Sequence, residues 1–125
     1  MKVKEAFKVV GAYPIYDIGD KVTLINYGLC YDPIWYWREV NVPLSCFFGR
    51  EAFKWTEDDG MTYTVEQIFI TKTGKYRYMY LIKCKLGYII AGANAIKICD
   101  CGVCKRRQKY REKTHKFNVK EIKNV

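Results

Sequence analysis

Apolar and polar residues alternate with a period of two through much of the chain between Lys21 and Cys99, which predicts short strands separated by turns. Gly19-Asp20 reads as a turn feeding Lys21 to Asn26, in which Val22 and Leu24 share one strand face. In "TYTVEQIFIT" Tyr63 and Val65 are in phase, whereas Ile68 and Ile70 fall out of phase with them. That reversal predicts a bulge or sharp bend near Glu66-Gln67. After the turn "KTGK" around Gly74, Tyr76, Tyr78, Tyr80, Ile82 and Cys84 alternate with Arg77, Met79, Leu81 and Lys83. "LGYIIA" is the next strand, following a turn at Gly87, and "GANA" is a single turn before "IKIC".

Five short strands, the second strongly bent, with one helical turn before the last, resemble an SH3-like barrel. The stretches that carry the resemblance are "GDKVTLIN", "YTVEQIF", "YLIKC", "GYII" and "NAIKI", spanning about residues 17 to 99. Their cadence is similar to that of small SH3-like proteins of low-G+C bacteria and their phages. The resemblance implies a mainly β fold, a small barrel, and says almost nothing about chemistry.

Two features depart from a minimal barrel. Residues 27–61, between the first two strands, lie where SH3-like domains place their binding loop. They contain all three tryptophans, Trp35, Trp37 and Trp55, together with Tyr31, Tyr36, Phe47, Phe48 and Phe53. Long structureless loops are uncommon in compact domains, so this aromatic insertion is expected to pack as its own small layer, with Pro33 and Pro43 at its corners. The second departure is a basic C-terminal tail. Residues 105–125 hold nine of the 22 Lys and Arg and two of the 13 acids, and so carry +7 of the net +9. The expected organisation is a barrel domain over 1–104 and a basic extension over 105–125. Asn118 and Glu121 fit the start of a short terminal helix, and Phe117 and Val119 fit a competing final strand.

At 125 residues, half of them hydrophobic, the chain is long enough for a real core. No apolar run approaches the roughly 18 to 20 residues of a membrane span, and "MKVKEAFKVVGAY" is too mixed for a secretory leader. A cytoplasmic protein is expected, in which tight cysteine spacing means metal or redox chemistry before disulfides.

Cys101-Gly102-Val103-Cys104 has the spacing that lets one turn aim two thiolates at a zinc ion. The remaining ligands are expected to be Cys99 and His115, with Cys30 and Cys46 as the long-range alternative. Ordinary reduced thiols are the simpler account, with Cys84 and Cys30 filling core. A thioredoxin-type dithiol needs the C-x-x-C at a helix N-terminus beside a βαβ unit, which a β-rich context does not suggest.

Catalysis is poorly supplied, because Ser45 and His115 stand alone in different contexts and no glycine-rich phosphate loop is present. No small-molecule substrate is expected. Glu57, Asp58 and Asp59 before Gly60 read first as a turn. Binding is better supplied: Lys105, Arg106, Arg107, Lys109 and Arg111 lie within seven residues, with tyrosines nearby, as phosphate-pairing cations and stacking surfaces for nucleic acid. The competing expectation is a protein target docked through Trp35, Trp37 and Trp55, as in an adaptor or a phage-type inhibitor of a host defence enzyme.

Overall fold

The computed structural model describes residues 1–40, 62–85 and 87–124. Among them the elements run α1 (Val3–Val10), β1 (Lys21–Leu24), a 3-10 turn, β2 (Cys30–Tyr31), α2 (Pro33–Val40), β3 (Tyr63–Thr73), β4 (Lys75–Lys83), β5 (Tyr88–Gly92), a second 3-10 turn (Ala93–Ala95), β6 (Ile96–Ile98), α3 (Gly102–Thr114) and β7 (Lys123–Asn124). The protein is mainly β. Six strands form a curled antiparallel sheet in the order β2-β5-β4-β3-β1-β6, and β7 joins β3 in parallel.

The periodicity expected of the strands is explained by this sheet. Pairing of β3 with β4 shifts between Val65 and Gln67, so a bulge lies where the phase reversal placed it. The extra residue keeps Tyr63 and Val65, before the bulge, on the same inner core as Ile68 and Ile70 after it. Phe69 turns to the opposite face, with Met79, Leu81 and Ile90. That face is covered by α2, whose Tyr36 meets Phe69 edge-on at 6.0 Å between ring centroids. The start of the aromatic stretch, residues 27–40, thus supplies a 3-10 turn, an edge strand and a covering helix. Its remainder, including Pro43, Ser45, Cys46, Phe47, Phe48, Phe53, Trp55, Glu57, Asp58 and Asp59, lies outside the described residues.

The sequence pattern did not announce α1. It places Ala6 in the inner core and ends at Gly11, where a φ of 86° suits glycine and the amide donates to the Phe7 carbonyl. No helix among the described residues is long and apolar enough to cross a membrane.

The C-terminal segment is docked on the sheet domain. Helix α3 runs across the expected boundary at residue 104, and both Val119 and Ile122 are buried in the inner core. Two buried carboxylates in the turn before β1 hold it. Asp17 accepts from the backbone amides of Asn118 and Val119, and Asp20 accepts from both terminal nitrogens of Arg111. Gly19, with a φ of 88°, permits the turn that sets these two acids side by side. Residues 115–122 form neither a terminal helix nor a strand through Phe117 and Val119, because the Asn118 and Val119 amides are drawn to Asp17.

The tyrosines of this core make stability pH-dependent. Burial raises the phenols of Tyr16, Tyr36, Tyr78 and Tyr80, that of Tyr78 to about 12. A phenol whose folded-state value is raised favours folding fully below its unfolded value of about 10, and that contribution is lost as pH climbs through the folded value. The urea midpoint is expected to fall between pH 9 and pH 11. An unchanged midpoint would mean that these phenols ionise as easily folded as unfolded.

Candidate functional site

The basic segment folds as a helix with one narrow contact stripe. Lys105 to Lys113 are nearly all strong helix formers, and Cys101 caps the N-terminus by accepting the Cys104 amide on its sulfur at 3.4 Å. His115 ends the helix in the left-handed region, its amide donating to the Arg111 carbonyl. Cys104 and Arg111 are buried and Gln108 is half-buried, an i, i+4, i+7 stripe that rests on the body. Lys105, Arg106, Arg107, Lys109 and Lys113 are exposed, as are Val103 and Tyr110, each 57% exposed.

The five cations named from the sequence therefore divide. Lys105, Arg106, Arg107 and Lys109 are presented to solvent, whereas Arg111 is 4% exposed and paired with Asp20, so it cannot also meet a phosphate. Lys113 replaces it: at helical spacing Arg106, Lys109 and Lys113 lie on one outward face. The signal for this exchange is the 3.6-residue period counted from Cys104, which only a helical reading supplies. Asp100, just before the helix, is 3.7 Å from Lys97 and 3.8 Å from Lys105.

The N-terminal end of α3 gathers three thiols. Cys99 follows β6, its amide donating to the Lys21 carbonyl at 2.8 Å, and its sulfur lies with those of Cys101 and Cys104 in a group whose members are all within 4.8 Å of one another. Such a group could hold a metal ion. The thiols are unequal. Amide hydrogen bonding from Cys104 lowers Cys101 to about 7, whereas the hydrogen bond with Cys101 and burial push Cys104 up to about 11.

His115 is not part of this group. The 13 residues of α3 separate it from Cys101, roughly 20 Å at 1.5 Å per residue, and its ring stacks on Tyr13 at 3.9 Å. Cys30 also lies apart from the group, in the edge strand β2, with its sulfur 3.7 Å from the Asn26 carbonyl. The C-x-x-C does begin a helix, contrary to the sequence expectation, although the preceding β6 is antiparallel to its neighbour and no βαβ unit is formed among the described residues. None of the five described cysteines forms a disulfide.

The aromatic candidates are partly placed. Trp35 is 46% exposed and stacks on Tyr31 at 5.4 Å, beside the inward-facing Tyr36. The side chain of Trp37 and the whole of Trp55 lie outside what is described. In β4 the alternating tyrosines are mostly wall: Tyr78 and Tyr80 are buried, and only Tyr76 is exposed. A groove of about 470 Å³ runs beside them, with Tyr13, Leu29, Tyr31, Lys75 and Asn94 among its lining residues. No protein-family model, curated protein or solved structure matches the chain.

Proposed function

We propose that the chain is a non-catalytic, nucleic-acid-binding protein that grips phosphates with the outward face of α3. The carrying observation is the narrow docking stripe of that helix. Only Cys104, Gln108 and Arg111 turn toward the body, which leaves Lys105, Arg106, Arg107, Lys109 and Lys113 on a rigid rod with Glu112 as its sole acid. Charge of one sign fixed on a helix attracts phosphate and releases counterions when it binds. The exposed ring of Tyr110, on the same helix, adds a surface on which an unpaired base can stack.

An SH3-like architecture for the body has three supports. The five expected strands lie in the spatial order fourth, third, second, first, fifth; the second is bulged; and a 3-10 turn precedes the fifth. Trp35 favours a second reading, a protein target docked by the aromatic stretch, as an adaptor or an inhibitor of a host defence enzyme would do. An exposed tryptophan stacked on a tyrosine has the composition of an interface anchor.

Salt dependence separates the two. Binding to a labelled 20-nucleotide strand and to the matching duplex should weaken linearly in log–log form, by about 0.7 per contacted phosphate on the strand and about 0.9 on the duplex. Three to five contacts give a duplex slope of roughly −3 to −4.5. Failure to bind either probe at low salt, or a slope near zero, would overturn the phosphate reading and leave the Trp35 surface first.

A further inference from the structure

We propose that Cys99, Cys101 and Cys104 bind one zinc ion through three thiolates; none of the other described residues joins the group, which leaves the fourth coordination position to water. The sulfurs come from three different local contexts: the end of β6, the cap of α3 and its first turn. Each residue is held in place by a different contact. The Cys99 amide is tied to Lys21, Cys101 caps the helix, and Cys104 is buried on the docking stripe. Tetrahedral zinc with bonds of about 2.3 Å needs sulfurs about 3.8 Å apart. The three sulfurs lie within 4.8 Å of one another, so closing on the ion draws them together by about 1 Å at most.

The surroundings suit the resulting charge. Zinc with three thiolates carries a net negative charge, and the first turn of a helix offers unpaired amides and the positive end of its dipole. Arg106 folds back over Gly102, where a β-carbon would meet its guanidinium at 3.2 Å, so a cation lies beside the knuckle. As each sulfur–zinc bond forms, any proton on that sulfur passes to the buffer. A two-cysteine redox device would need only Cys101 and Cys104. The third thiol within reach is what a metal requires and a dithiol does not.

Cobalt(II) titration of the reduced, metal-free full chain provides the test, with zinc as competitor. One equivalent of cobalt should produce a sulfur-to-cobalt charge-transfer band with the visible bands of tetrahedral cobalt, and zinc should abolish both. Cys99→Ser and Cys101→Ser should each weaken binding at least tenfold, while His115→Ala, Cys30→Ser and Cys46→Ser should leave it unchanged. Cys99 and Cys101 are not core residues, so circular dichroism can show that these two variants keep their fold. No thiolate band, undiminished affinity in Cys99→Ser, or loss in His115→Ala or Cys46→Ser would overturn the three-thiolate site. A chain that takes up no metal and forms a Cys101–Cys104 disulfide on mild oxidation would be a dithiol, which also overturns it.

Discussion

Replacing Arg111 by Met is expected to destabilise the protein by about 3–5 kcal/mol, the cost of leaving one member of a buried ion pair without its partner. The Arg111 and Asp20 side chains are only 5% and 3% exposed, so water cannot take over for either. The guanidinium also donates to the Ile15 carbonyl at 3.1 Å, and Asp20 accepts the Asp17 amide at 3.0 Å, so the pair sits inside a wider hydrogen-bonded network. Against a typical domain stability of about 5–15 kcal/mol the loss is large. Arg107→Met, an exposed change in the same helix, should stay within about 0.5 kcal/mol. Asp20→Asn should also be strongly destabilising, and its combination with Arg111→Met should cost less than the two added, because the charge left stranded by the single change is gone. Urea midpoints read all four variants. If Arg111→Met matched Arg107→Met, α3 would be held by something other than this pair.

That pair also explains where the sequence stops being informative. Half-buried strands must alternate, so Tyr76 to Cys84 and the phase reversal before Ile68 were legible, and the bulge lies where the reversal put it. Helix α3 has no such signature. Its contact stripe is a cysteine, a glutamine and an arginine, and the partner that makes the arginine an anchor is 91 residues away in the chain. A segment reading "KRRQKYREK" without an apolar stripe therefore looks like a solvated arm. The same omission misplaced His115, which is near the cysteines only while the intervening chain is folded back on itself. Once those residues are helical, the histidine is carried to the far end, against Tyr13. The segment after α3 was ambiguous for a related reason: Asp17, a distant side chain, satisfies its amides, and no local period records that.

Changing Arg106, Arg107 and Lys109 together to Gln is expected to flatten the log–log salt slope for nucleic acid by about two to three units. If affinity extrapolated to about 1 M salt is unchanged, the same difference in slope lowers affinity at 0.1 M by roughly 100- to 1,000-fold. Glutamine keeps nearly the helix propensity of the residues it replaces, and all three positions are exposed, so the helix and the urea midpoint should survive. Exchanging the same residues for the other basic type, Arg106→Lys, Arg107→Lys and Lys109→Arg, separates charge from geometry. It should preserve the slope if the contacts are to phosphates as point charges, and reduce affinity without flattening the slope if bidentate guanidinium contacts matter. Deleting residues 105–125 is not an equivalent experiment, because it removes the buried Arg111, Val119 and Ile122 along with the exposed cations. An unflattened slope in the folded glutamine variant would mean that any nucleic-acid contact lies off α3, and attention would pass to the surface around Trp35.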